Sequence, residues 1–380
     1  VHSSVAEAER SPLAHSIRSL IAAEGPMPVS RFMALALGHP RYGYYMTRDP
    51  LGAAGDFTTA PEVSQMFGEL LGLWCAEVWR VTRMPRPIRL VELGPGRGTL
   101  MRDALRACKV VAEFRSALEV HLVETSPVLR EAQRAMLAAP GVPVQWHERA
   151  ETLPDGPLLA LANEFVDALP IDQFVMAEDG WHERRVNVNA RGRFVFSLAA
   201  QPTPGIDAGL PPMLRHSPRG ALLERRHYGP LNEIARRVAW FGGAALVVDY
   251  GHARTAFGNT LQAVRAHEYA DPLLDPGEAD LTAHVDFEAL AAEVKQHGAR
   301  VHGPVAQGTF LRRLGIELRA ERLRRHAGAG GRTTVDAALA RLIGPAPGMG
   351  ELFKALSFAH RDLPCPPGFD SAEGPGEPRA

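Results

Sequence analysis

Ile88-Arg89-Leu90-Val91-Glu92-Leu93-Gly94-Pro95-Gly96-Arg97-Gly98-Thr99 is an apolar run that passes into a glycine-rich turn. A helical pattern over 99–110 follows it. Strand, turn and helix in that order make a parallel α/β unit, and glycines at the turn let a ligand approach the backbone with no Cβ in the way. The spacing is Gly-x-Gly-x-Gly, where a dinucleotide fingerprint needs Gly-x-Gly-x-x-Gly, and the Gly-Lys-Ser/Thr ending of a phosphate-binding loop is missing. A glycine turn without a ligand is the plain alternative.

Two acids flank the turn. Glu124 ends the next predicted strand, Ala117–Val123, where a carboxylate is placed to accept hydrogen bonds from the hydroxyls of a ribose. Glu92 precedes the glycines; a negative charge there disfavours pyrophosphate and favours a cationic group. S-adenosylmethionine, with a positive sulfonium and amino group beside a ribose, meets both. Further strands are predicted at Val142–Trp146, Pro157–Ala162 and Ala244–Asp249, separated by helical patterns. Such alternation requires a parallel sheet with helices on both faces. The expected fold class is therefore α/β, a Rossmann-like sheet with an N-terminal helical region and a middle insertion.

Before the glycine turn, Leu13, Ile17, Leu20 and Ile21 recur at helical spacing and Gly25-Pro26 ends that helix. Thr59 and Glu62 stand at capping-box spacing, opening a helix that carries Val63, Met66, Phe67, Leu70, Leu71, Trp74 and Val78. Beyond the fourth strand, Trp181–Val188 and Arg193–Leu198 flank Asn189–Gly192 as a hairpin. A helix is expected around 219–240. Asp286 is placed to cap a helix bearing Phe287, Leu290 and Val294, and a mobile glycine-rich loop is expected at 327–335. The expected organisation is an N-terminal lid-like region at 1–84, a core at 85–325 with an insertion at about 171–240, and a part at 326–380 that completes the core and ends in a frayed tail.

Hydrophobic residues make up 46% of the 380, enough for a large buried core and against a disordered chain. Lys and Arg number 42 against 43 Asp and Glu, a balance that gives no support for nucleic-acid binding by bulk charge. Cys75, Cys108 and Cys365 lie far apart with no metal-ligand spacing, which fits a reducing compartment and no metal site. No apolar stretch reaches membrane-spanning length and no secretory signal is evident, so a soluble protein of the bacterial cytoplasm is expected.

Leu90–Leu100, Gly55–Gln65 with Phe67-Gly68-Glu69, and Asn163-Glu164-Phe165-Val166-Asp167-Ala168-Leu169-Pro170 together resemble the MidA family, which includes mitochondrial NADH dehydrogenase assembly factor 7. Asp249-Tyr250-Gly251, His284–Phe287 and Gln307–Leu311 extend the likeness over nearly the whole chain. The resemblance implies a seven-stranded methyltransferase that uses S-adenosylmethionine. It further implies methylation of protein arginine, on a subunit of respiratory complex I, and a homodimer is expected. It assigns Glu92, Gly94, Gly96 and Gly98 to the cofactor loop and Glu124 to the ribose, and it puts Asp56, Thr58, Thr59, Pro61 and Glu62 in a lid or acceptor region. Asn163, Glu151 and Thr58 complete the expected cofactor contacts.

A protonated guanidinium is a poor nucleophile, so an arginine acceptor calls for carboxylates that orient its fork and hold its charge. Glu164, just past a central strand, is the first choice, with Asp56, Glu62 or Asp167 as its partner. A strand-end turn is the structural alternative for Asn163-Glu164, and a solvent-facing turn for Asp167. Tyr42, Tyr44, Tyr45 and Phe57 fit either an acceptor channel or an apolar seam. His284 is weighed below helix capping by Asp286. Two other functions stay open: methylation of a small molecule or another protein residue, and a non-catalytic cofactor-binding assembly chaperone.

Overall fold

The computed structural model describes residues 11–49, 52, 58–138 and 141–369. The chain divides into two compact units. One holds 1–57, 167–227 and 255–284; the other holds 58–166, 228–254 and 285–380.

The second unit is built on seven strands: β1 (Ile88–Leu93), β2 (Leu118–Val123), β3 (Val144–His147), β4 (Leu158–Asn163), β5 (Gly243–His252), β6 (Arg300–Ala306) and β7 (Phe353–Ala359). They lie in the order β6-β7-β5-β4-β1-β2-β3, with a short strand at Val285–Asp286 beside β5. The pairings β3–β2–β1–β4–β5 are parallel, and β7 runs antiparallel to both β5 and β6. Strands β1, β4 and β5 are buried at nearly every successive position. Burial without alternation means both faces are covered, as the apolar runs in the sequence require.

Helix α1 (Gln65–Val81) buries Met66, Phe67, Leu71, Trp74, Cys75 and Val78. Each large side chain so buried contributes about 1.5–3 kcal/mol. Helix α2 (Thr99–Ala107) leaves the glycine turn and lies close against α1: a Cβ added at Gly72 would sit 2.7 Å from Ala104 Cα. The capping-box reading of this region needs correction. Thr59 opens only the short helix Ala60–Val63 and makes no side-chain cap bond. The chain breaks at Ser64, whose Oγ accepts the Met66 N–H at 3.2 Å and so caps α1. Two further helices matter below, α3 (Pro127–Met136) and α4 (Gly229–Phe241).

In the other unit the N-terminal helix spans Pro12–Glu24 and ends at Gly25, as its pattern indicates. The hairpin Trp181–Val188/Phe194–Leu198 forms across Asn189–Gly192. The helix expected over 219–240 is split. Leu222–Arg226 is a strand paired antiparallel with Ile171–Met176, and α4 begins only at Gly229, with Pro230 in its first turn. Pairing with a distant strand overrides the local helical spacing. The loop expected at 327–335 is instead the start of a helix, Ala329–Ile343. Leu342 in its last turn is fully buried, so packing outweighs the glycines in its first turn.

Candidate functional site

The strand order reverses between β1 and β4, whose hydrogen-bonded register brings Leu93 opposite Ala162. Ligands of open α/β sheets bind at the carboxyl ends of the strands at such a reversal. The glycine turn follows β1 there and Asn163-Glu164 closes β4. Gly94, Gly96 and Gly98 all have positive φ, at 61°, 53° and 85°. At Gly94 the requirement is also steric, because a Cβ would sit 2.6 Å from Phe165 Cδ2. Its N–H donates to Val123 O at 3.0 Å, which ties the turn to the end of β2.

The two expected acids are both buried. Glu92 is 3% exposed, its Oε2 has no hydrogen-bond partner among the described residues, and its pKa is pushed up to about 8 by burial and then by the nearby Glu124 carboxylate. An unpartnered carboxyl of this kind suits a site that receives a cation. Glu124 is held differently. Its Oε1 accepts the Ser126 N–H at 2.8 Å and its Oε2 accepts from Gln133 Nε2 at 3.2 Å. Burial raises its pKa, while Ser126, Gln133 and the Arg130 charge pull it back down. Gln133, on α3 and fully buried, also donates to Gly96 O at 2.7 Å and accepts from Trp146 Nε1 at 2.9 Å.

Glu164 adopts φ 48°, a left-handed conformation that is costly for a residue with a Cβ. What holds it is Asp249 on β5, wholly buried. Its Oδ2 accepts the N–H groups of Phe165 at 3.2 Å and Val166 at 2.9 Å, and its Oδ1 accepts that of Tyr250 at 2.9 Å. The strained turn fixes the carboxylate. Glu164 Oε1 accepts from the Ala60 N–H at 2.8 Å and from Asn163 Nδ2 at 3.1 Å. Asn163 Oδ1 is buried without a partner among the described residues. Glu62 Oε1 accepts from Thr99 Oγ1 at 2.5 Å, so the 60–63 helix is joined both to the β4 turn and to the start of α2.

Of the other expected residues, Thr58 is exposed beside that helix. Glu151 lies in a short 3-10 turn after β3, half exposed and paired with Arg149 at 3.3 Å. Asp56 and Phe57 lie outside the described residues. Asp167 belongs to the other unit, where it is buried near Tyr45, whose hydroxyl donates to Asp280 at 2.8 Å. Tyr44 is fully buried in that unit's core and stacks edge-on with Tyr45, the seam alternative raised for these rings. Asp286 Oδ1 accepts from the Ala289 N–H at 2.9 Å, a helix cap. Sequence reasoning gave no role to Gln133 or Asp249. Asp249 carried a signal, an acid ending an apolar strand, as Glu124 does. Gln133 carried none, because a glutamine inside a helix is ordinary.

The donor set fits S-adenosylmethionine: a turn with glycine at three of its five positions, a buried carboxyl oxygen with no partner among the described residues, and a second carboxylate polarised by amide donors. Among the described residues no group of three His, Cys, Asp or Glu is placed to hold a metal, and no helix is long and apolar enough to cross a membrane.

Comparison with known proteins agrees with this chemistry. Residues 70–305 match the family described as S-adenosyl-L-methionine-dependent methyltransferase. The chain is 39% identical to protein arginine methyltransferase NDUFAF7 homolog, mitochondrial, of Drosophila melanogaster, over 94% of this chain and 86% of that protein. It is 36% identical to the Homo sapiens protein arginine methyltransferase NDUFAF7, mitochondrial, over 83% of this chain and 76% of that one. A crystal structure from Burkholderia thailandensis with S-adenosyl-homocysteine bound superposes with a TM-score of 0.81 at 28% identity, covering 94% of this chain and 95% of that one. The expectation of a bacterial cytoplasmic protein is overturned by the relatives from animals, which are mitochondrial proteins.

Proposed function

The chain belongs to the MidA family of S-adenosylmethionine-dependent methyltransferases, and on that premise we propose that its acceptor is an arginine side chain of a protein. The observation that carries this reading is Glu164: a carboxylate held in a strained turn at the carboxyl end of β4, oriented by the Ala60 N–H and Asn163. The names of the relatives, protein arginine methyltransferases, point the same way.

The donor, when bound, supplies an electrophilic methyl group on a sulfonium that leaves as a neutral thioether. The glycine turn binds it without steric cost, Glu124 accepts from its ribose, and ionised Glu92 offsets its positive charge. Glu164 orients the guanidinium through paired N–H donors and keeps its charge in place. The attacking nitrogen must shed a proton as it gains carbon, and the Glu164 carboxylate is where that proton goes before it passes to water. Positioning and the field around the reacting atoms then account for most of the rate.

Glu62, engaged by Thr99, serves in this reading to hold the 60–63 helix on the glycine turn. Asp56 and Asp167 are alternatives for the second carboxylate, separated by which of Asp56→Asn and Asp167→Asn depresses turnover at saturating donor. The substrate is a subunit of respiratory complex I and the enzyme a homodimer.

The test is transfer of labelled methyl from S-adenosylmethionine into a mitochondrial lysate, with mass spectrometry of the modified residue. Label on arginine of a complex I subunit supports the proposal; label on another residue or on small molecules refutes it. Donor binding with no transfer at all would favour an assembly chaperone.

A further inference from the structure

We propose that Gln133 is a positioning residue of the donor site, one that fixes the glycine turn and the ribose-binding acid at a set separation. The inference rests on the donor reading of Gly96 and Glu124 given above.

Gln133 is 0% exposed and its side-chain amide is shared among the ends of three successive strands. Its Nε2 donates to Gly96 O at 2.7 Å, in the turn after β1, and to Glu124 Oε2 at 3.2 Å, after β2. Its Oε1 accepts from Trp146 Nε1 at 2.9 Å, on β3. Both amide protons are used, and they diverge to two different parts of the site. A planar amide has fixed angles between these bonds, so it sets how far apart the turn and the carboxylate can lie.

The amide itself is anchored. The ring of Trp146 carries the Arg134 guanidinium 5.2 Å above its centroid, and Arg134 neighbours Gln133 on α3. The start of α3 is tied to the same acid, since the Ser126 N–H donates to Glu124 Oε1 at 2.8 Å and Ser126 Oγ accepts from the Leu129 N–H at 3.2 Å. Both Glu124 oxygens are therefore held by donors. A carboxylate fixed by amide donors keeps its remaining lone pairs for hydroxyl groups and stays ionised when they bind.

The charged groups facing Glu124 are Glu92 on β1 and Arg130 on α3. Gln133 lowers the pKa that burial raises. Removing its donors moves the protonation of Glu124 to higher pH, and ribose binding fails in less acidic solution. A residue that only filled space would weaken binding equally at every pH.

The experiment is calorimetric titration of S-adenosylhomocysteine into wild type, Gln133→Met, Gln133→Glu, Glu124→Gln and the double variant Glu124→Gln/Gln133→Met, from about pH 5 to about pH 8.5, with thermal melts of each. Gln133→Glu keeps the size and the acceptor for Trp146 but sets a second carboxyl against Glu124, so its acid limb should also move upward; it serves where the Met variant fails to fold. We expect Gln133→Met to lose about tenfold in affinity at neutral pH. Its acid limb should shift upward, and that shift should vanish in the Glu124→Gln background. Affinity within twofold of wild type, or a loss independent of pH, overturns the role of Gln133. An unchanged affinity in Glu124→Gln overturns the ribose reading itself, a separate failure.

Discussion

The backbone N–H of Ala60 donates to the carboxylate of Glu164 across 2.8 Å, although the two residues are 104 positions apart in the chain. The segment before α1 and the turn after β4 are thereby locked at the point where the strand order reverses. Glu164 is thus both a fixed part of the fold and the acid proposed to meet the acceptor.

Glu164→Gln separates those two parts. The amide oxygen can still accept from Ala60 and Asn163, so the fold and donor affinity should be kept. Methyl transfer should fall by about a hundredfold or more, the scale seen when a charge aligned with the reacting atoms is removed. Single-turnover transfer and calorimetry on the same preparation check this; unchanged turnover would remove Glu164 from the mechanism.

Asp249 supports the turn from beneath. Asp249→Ala leaves three N–H groups, of Phe165, Val166 and Tyr250, without their acceptor. It should cost about 3 kcal/mol or more. Asp249→Asn retains oxygen acceptance and should cost less. Denaturant melts of both give the comparison, and equal losses would count against the hydrogen-bond account.

Glu92 gives a pH dependence with a definite sign. Its folded-state pKa is about 8, above the ordinary 4.5. From about pH 4.5 to about pH 8 the folded protein holds a proton that the unfolded chain has released, so this group makes stability fall as pH rises through that window. Glu92→Gln should flatten that slope in the ligand-free protein, read as Tm against pH. S-adenosylmethionine favours the ionised form, so binding near pH 7 should release a proton, measurable by calorimetry in buffers of different ionisation enthalpy. No proton release would contradict a cation beside Glu92.

Gly94→Ala should abolish donor binding. Its φ of 61° costs a residue with a Cβ about 1–2 kcal/mol, and the new carbon would lie 2.6 Å from Phe165 Cδ2. Phe165 must shift, and the Glu164 turn shifts with it. Wild-type affinity in a folded Gly94→Ala protein would show that the turn does not cradle the donor.

The five parallel strands, the glycine turn and its two acids were legible in the sequence because each rests on local chemistry. Apolar runs mark fully buried parallel strands, glycine marks positive φ, and an acid at a strand end marks the ligand side of the sheet. Asp286 as a cap was legible for the same reason, one side chain bonding three residues ahead. Thr59 was not, because the break at Ser64 depends on Glu62 reaching Thr99 and Ala60 reaching Glu164.

The tertiary structure decided what depends on contacts between distant segments. Leu222–Arg226 became a strand because Ile171–Met176 offers it a partner, and 329–343 became a helix because Leu342 has a core to enter. The same holds at the site. Periodicity and residue type set Gly94, Glu92 and Glu124 in place along the chain, but the hydrogen bonds of Gln133 and Asp249 exist only once three strand ends are brought side by side. A buried amide or carboxylate acquires its role from the donors and acceptors around it, and those are set by packing, not by neighbours in sequence.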